Sequence, residues 1–168
     1  MQFLFFIIFD TITVGDNMKI AIASDHRGSI YKEKIISFLI ENKHEIIDCS
    51  KENTPTDDYP DFAFKVCKEV ITKKADFGIL VCRSGIGMSI AANKVRGIRC
   101  AKLDSKEDAM LCRNDNGANV ITFNFTKDIN EITEMIDTYI KAEDLIDERH
   151  RRRVQKIIDF ESGTYNEL

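Results

Sequence analysis

The chain has 168 residues, 43% of them hydrophobic, and a formal net charge of -4. Length and apolar content suit one domain that buries its own core, and the mild negative charge excludes the broad basic footprint of a nucleic-acid-binding or membrane-surface protein. The five cysteines (49, 67, 82, 100 and 112) are odd in number and form no C-x-x-C pair, and the three histidines are scattered. Neither a disulfide framework nor a metal site is expected, and a reducing cytoplasm is the expected compartment.

The apolar run FLFFIIF at residues 3–9 has no basic residue before it and is interrupted by Asp10, well short of a membrane span or a signal peptide. Residues 1–17 are therefore expected to be an extension outside the fold, with residues 18–168 forming a single domain. From Met18 short apolar runs alternate with amphipathic segments, the pattern of βαβ units around a parallel sheet. Lys19 to Ser24 reads as the first strand, Asp25 to Gly28 as a loop, and Ser29 to Asn42 as a helix with Ile30, Ile35, Phe38 and Leu39 on its apolar side. His44 to Cys49 is a second strand. Lys51 to Tyr59 is expected as an exposed loop, and Pro60 opens a helix running to about Thr72.

Asp76 to Cys82 reads as a third strand, buried on both faces, followed by the loop Arg83 to Gly87 and a helix from Met88 to Lys94. Ile98 to Leu103 is a fourth strand. Ser105 to Arg113 is a helix with Ser105 as its N-cap, Ala118 to Phe123 a fifth strand, and Asp128 to Lys141 a helix. The tail from about Asp147 to Phe160 is a last helix in which Val154, Ile157 and Ile158 share a face. Five strands and their helices fit a Rossmann-like three-layer αβα sandwich around a five-stranded parallel sheet.

The stretch ILVCRSGIGMSIAANK at residues 79–94 joins a strand, a glycine-bearing loop and a helix. Backbone N–H groups from Arg83, Ser84, Gly85, Ile86 and Gly87 are expected to converge on an anion. The spacing satisfies neither the dinucleotide fingerprint, whose third glycine position is Ile90, nor a P-loop. Cys82 ends the strand where open α/β sheets bind ligands, which makes it a candidate base or nucleophile; the alternative is a small buried hydrophobe. Right-handed crossovers are expected to gather Asp25, His26, Cys82 to Gly87, Asp104 and Asp115 to Gly117 on one edge of the sheet. Together they describe a pocket for a small, anionic, hydroxyl-rich molecule.

The motifs IASDHRG, DYPD at Asp58 to Asp61, LVCRSGIGMSIAANKVRGIR, the N-x-x-N-V of Asn116 to Val120 and RHRRRV at Arg149 to Val154 occur in this order. With them the chain from Met18 to Phe160 resembles type B ribose-5-phosphate isomerases and the related galactose-6-phosphate isomerase subunits. The resemblance implies aldose–ketose isomerisation of a phosphorylated sugar through an enediolate, with no cofactor or metal. The expected substrate is ribose 5-phosphate, with a hexose 6-phosphate, or a noncatalytic or partner-requiring sugar-phosphate-binding subunit, as alternatives. It implies that Cys82 is the base, in the branch that uses cysteine; the other branch has glutamate where this chain has Met88. Asp25, His26, Ser84 and Asn116 would contact the sugar. Arg149 and Arg153, on one helical face by their i,i+4 spacing, would bind phosphate in the neighbouring subunit of a homodimer or a dimer of dimers. Nucleic-acid and membrane partners are not expected.

Three departures from the family pattern stand out. Asp115 replaces the ring-opening histidine, so ring opening is expected to limit turnover, because an ordinary carboxyl is a poor acid at neutral pH. Arg83 replaces a glycine after the cysteine, and Thr126 replaces a phosphate-binding arginine. The fold alone would also suit a flavodoxin-like or response-regulator module, but the third strand ends in Cys82 where a phospho-acceptor aspartate would be required.

Overall fold

A computed structural model describes residues 17–145 and 147–166. Residues 1–16 lie outside the described residues, and with them nearly all of the expected extension. Five strands alternate with helices in the order β1 (Lys19–Ser24), α1 (Ser29–Glu41), β2 (Glu45–Asp48), α2 (Tyr59–Ile71), β3 (Phe77–Cys82), α3 (Ile86–Ala92), β4 (Cys100–Leu103), α4 (Lys106–Asn114), β5 (Val120–Asn124), α5 (Ile129–Lys141) and α6 (Glu148–Ser162). All strand pairs are parallel, in the spatial order β2-β1-β3-β5-β4. The chain departs from the centre in opposite directions at β1 and β3, which creates a crevice at their carboxyl ends.

Every residue of β3 is buried, because the central strand is covered on both faces. Alternation along it divides the core. Phe77, Ile79 and Val81 pack with side chains of α1, α4 and α5, whereas Leu80 and Cys82 pack with those of α2 and α3. This is the three-layer sandwich, and each buried aliphatic side chain contributes about 1.5–3 kcal/mol relative to exposure.

The cap expected at Ser105 forms, and Asp128 and Asp147, expected as the first residues of their helices, cap them. Ser105 Oγ accepts from Asp108 N at 3.1 Å, Asp128 Oδ1 from Asn130 N at 2.8 Å, and Asp147 Oδ1 from Arg149 N at 2.7 Å. Two packing expectations are corrected. Ile30 is 68% exposed, while Lys32 is 1% exposed and takes the inward position. Lys32 Nζ reaches both Asp48 oxygens, at 3.0 and 2.9 Å, and Ser50 O at 2.8 Å, so its charge is paired and all three N–H donors are engaged. On α6 only Val154 of the three expected apolar residues is fully buried, and Ile157 is exposed.

Candidate active site

Two loops meet at the carboxyl ends of β1 and β3. The β1–α1 loop lies so close to β3 that a Cβ on Gly28 would stand 2.9 Å from Val81 O. Asp25 Oδ1 accepts from Arg27 N at 3.1 Å and Gly28 N at 3.0 Å, which rigidifies this turn. The next residue, His26, is held from outside its own loop: Asp57 Oδ1 is 2.8 Å from its Nδ1 and 3.3 Å from its backbone N. Burial alone would raise the Asp57 pKa, but hydrogen bonds from His26, Asn53 and Thr54 hold it below the usual carboxylate range.

Cys82 ends β3 at 6% exposure, in the same apolar cluster as Met88. The two positions that distinguish the branches of the resembled family therefore occupy one region of the core. Burial raises the other four thiols, Cys49 to about 11 and Cys67, Cys100 and Cys112 to about 12, which leaves those four protonated at neutral pH.

The loop after Cys82 is shorter than expected, Arg83 to Gly85, because α3 begins at Ile86. Gly85 makes the earlier start feasible. It has φ +72°, and a Cβ there would approach Thr122 Oγ1 to 2.7 Å. Thr122 Oγ1 donates to Gly85 O at 2.7 Å and ties the loop to β5. Ser84 Oγ accepts from Ile86 N at 3.2 Å, so one of the amides expected to face an anion is already engaged. The Arg83 side chain is exposed, and Tyr59 lies over Gly87, where a Cβ would come within 2.9 Å of its ring.

The remaining candidates lie elsewhere. Asp115, Asn116 and Gly117 precede β5, and in a parallel sheet a helix-to-strand loop lies at the amino edge. The expectation that they share an edge with Cys82 is thereby corrected, although Asp104, which follows β4, does lie at the carboxyl edge. The five residues of β5 separate the two edges by about 16 Å, at roughly 3.3 Å per residue. Arg99 Nε donates to Asn116 O at 3.1 Å and Gly117 O at 2.8 Å, fixing this second loop. The amino end of α6 packs beside it: His150 Nε2 is 3.5 Å from Asp115 Oδ1 and 3.2 Å from Arg149 Nη2. Arg149 and Arg153 are exposed on the first turns of the same helix, in a cluster with His150, Asp115 and Asp147. A cavity of about 360 Å³ at this edge is lined partly by Asn116, Arg99, Ile157 and Glu161, and by no residue of the Cys82 loop.

Within one chain, then, two candidate half-sites stand at opposite edges. One carries a thiol, a held imidazole and a glycine loop; the other carries cations beside a histidine–carboxylate pair. Residues 20–157 match the family described as Ribose/Galactose Isomerase. The chain belongs to the ribose/galactose isomerase family. It is 38% identical over 144 residues to ribose-5-phosphate isomerase B of Escherichia coli (strain K12), covering 85% of this chain and 96% of that protein. The fold of this isomerase superposes on ribose-5-phosphate isomerase B from Clostridium thermocellum with a TM-score of 0.82 at 39% identity, covering 87% of this chain and 99% of that one. It also superposes on the Mycoplasma genitalium enzyme, solved with ribulose-5-phosphate bound, with a TM-score of 0.80 at 37% identity, covering 86% and 96%.

Four residues that assist these half-sites received no role from the sequence: Asn53, Asp57, Tyr59 and His150. Asp57 lies in a polar, proline-containing stretch that reads as solvated, and only the long-range contact with His26 reveals its burial. Tyr59 and His150 lie inside the motifs DYPD and RHRRRV, so the signal was present but residue type alone did not assign them. Among the described residues no group of three or more His, Cys, Asp or Glu side chains could hold a metal ion, and no helix is long and apolar enough to cross a membrane.

Proposed function

We propose that this isomerase interconverts ribose 5-phosphate and ribulose 5-phosphate in the cytoplasm, as a homodimer in which each site combines the Cys82 half of one subunit with the Asp115 and α6 half of the other. The observation that carries the reading is Cys82 at the carboxyl end of β3, beside the His26 loop in the crevice between β1 and β3. The bound ribulose-5-phosphate in the Mycoplasma genitalium structure supports the same substrate class.

The Cys82 thiolate removes the proton from C2 of the open aldose, electrons flow onto the C1 oxygen, and an enediolate results. After the C2 hydroxyl proton has passed to the C1 oxygen, the Cys82 thiol returns its proton to C1 as the C2 oxygen becomes a carbonyl, which completes the ketose and restores the thiolate. Loop amides of Gly85 and Gly87 would stabilise the oxyanion, with Ser84, Asp25 and Asn116 on sugar hydroxyls and Arg149 and Arg153 on the phosphate. Asp115 and His150 would exchange the proton required for ring opening. The two-subunit arrangement is favoured by the separation of the half-sites and by exposed apolar side chains at both: Ile86 and Ile90 on α3, Ile157 and Phe160 on α6.

An isomerase assay over ribose 5-phosphate and several hexose 6-phosphates, with solvent exchange at C2 followed in deuterated water, tests the reading. Ribose 5-phosphate is expected to turn over fastest. Cys82→Ser should abolish exchange with little change in sugar-phosphate affinity, because an alcohol is too weakly acidic to act as the base. Exchange at the parent rate in the serine variant would remove Cys82 from the mechanism.

A further inference from the structure

Asp57 lies on the connection between β2 and α2, 31 residues from His26 in sequence, yet its carboxylate is almost enclosed, with a side chain 9% exposed. Each of its oxygens has defined work. Oδ1 faces His26 N at 3.3 Å and His26 Nδ1 at 2.8 Å; Oδ2 accepts from Asn53 Nδ2 at 3.0 Å and from Thr54 N at 3.1 Å. Three of those partners are obligatory donors. Hydrogen bonding holds Asp57 ionised, and an ionised carboxylate only accepts, so His26 Nδ1 must carry a proton.

We propose that Asp57 is the positioning residue of the His26 half-site: it locks the imidazole as the Nδ1–H tautomer and so makes Nε2 the atom that meets the ligand. This deepens the isomerase reading and rests on it for the identity of the ligand. Free histidine prefers the opposite tautomer, with the proton on Nε2. With Nδ1 engaged, Nε2 offers a lone pair to a hydroxyl, and after taking up a proton it donates to an oxyanion without any turn of the ring. The imidazole side chain is 32% exposed against 9% for its partner, so the bonded edge is inside and the ring remains reachable.

The lock is itself supported. Asn53 Nδ2 also donates to Ser24 O at 3.0 Å, and Ser24 N donates to Ser50 Oγ at 3.0 Å, so the loop that carries Asp57 is fastened to the end of β1. Ser50 O in turn accepts from the buried Lys32 Nζ. The charged group facing the imidazole at Nδ1 is thus a carboxylate fixed to the same strand that launches His26. This arrangement holds the ring orientation whether or not substrate is present.

Ring ¹⁵N spectra of the intact protein test the proposal without substrate, with His26→Ala used to assign the resonances. With the pH raised until the ring is neutral, the expected result is a protonated Nδ1 and a pyridine-type Nε2 in the parent, and a shift towards the Nε2–H form in Asp57→Ala. An Nε2–H parent overturns the proposal. Kinetics supply the second arm: kcat/KM for ribose 5-phosphate should fall about 10-fold or more in Asp57→Ala, and His26→Ala/Asp57→Ala should be no worse than His26→Ala alone. A double variant whose loss equals the product of the two single losses would make Asp57 a loop fastener only. If alanine unfolds the loop, Asp57→Leu takes its place in both arms, because it fills a similar volume and offers Nδ1 no acceptor. A parent with the expected tautomer but no activity on ribose 5-phosphate would overturn the substrate reading while leaving the lock intact.

Discussion

At Asp115 a carboxylate stands where the family resemblance leads one to expect an imidazole, and the imidazole is found one contact away, on His150 of α6. An ordinary carboxyl is a poor acid at neutral pH, which is why ring opening is the expected slow step. Paired, the two groups place an imidazole nitrogen 3.5 Å from the carboxylate, so the ring can serve as the acid–base group of this cluster in place of the carboxyl. We therefore expect His150→Ala and Asp115→Asn each to lower kcat on ribose 5-phosphate by about 10-fold or more. Ribulose 5-phosphate, which cannot close to a furanose, should lose much less. Equal losses in both directions would assign the pair to binding instead of ring opening. Cys82 was legible in the sequence because a thiol at a strand end followed by glycines is rare and local. His150 stands inside the motif RHRRRV, but its role is not legible there, because its partner lies 35 positions away and no periodicity links a helix face to the loop it covers.

Among the elements, hydrophobic pattern decided existence and order, and side-chain hydrogen bonding decided the exceptions. Among the described residues, all five strands and six helices follow from alternating apolar runs, and the cap at Ser105 follows from residue type, while Asp128 and Asp147, expected as the first residues of their helices, are caps as well. The start of α3 was displaced by Gly85, whose left-handed backbone lets the helix begin at Ile86, a conformation that residue type permits but does not require. The inward face of α1 departs from the apolar pattern at Ile30, which is exposed while Lys32 points inward. Lys32 is inside because Asp48 and Ser50 lie at the end of β2 opposite it, a partnership across 16 and 18 residues. Lys32→Ala should destabilise the protein by about 3 kcal/mol, measured by chemical denaturation, since it leaves Asp48 and Ser50 O without their cation. A loss below about 0.5 kcal/mol would show that water replaces the ammonium without cost.

For the molecule as a whole, the decisive feature is that chemistry divides between the two edges of one sheet. Cys82, Asn116 and Arg149 stand in a single line of motifs along the sequence, and nothing local distinguishes a strand-to-helix loop from a helix-to-strand loop as a contributor to a pocket. Parallel topology supplies that distinction, because it sends the two kinds of loop to opposite edges. A site that needs both must be closed by another copy, and a two-fold arrangement then yields two equivalent sites, each with one half from each subunit. Complementation tests this directly. Cys82→Ser and Arg149→Ala homodimers should each be inactive or nearly so, the first lacking the proposed base and the second a proposed phosphate ligand. After mixing, denaturing and refolding in equal amounts, about half of the dimers should be mixed. Each mixed dimer contains one site with both defects and one with neither, since the intact Cys82 faces the intact Arg149. Recovery should therefore approach about a quarter of the parent's activity, half the dimers with one working site of two. It should scale with the fraction of mixed dimers as the ratio of subunits is varied. If verified mixed dimers show only the sum of the two residual activities, each site lies within one chain, and the amino-edge cluster has a role unrelated to Cys82.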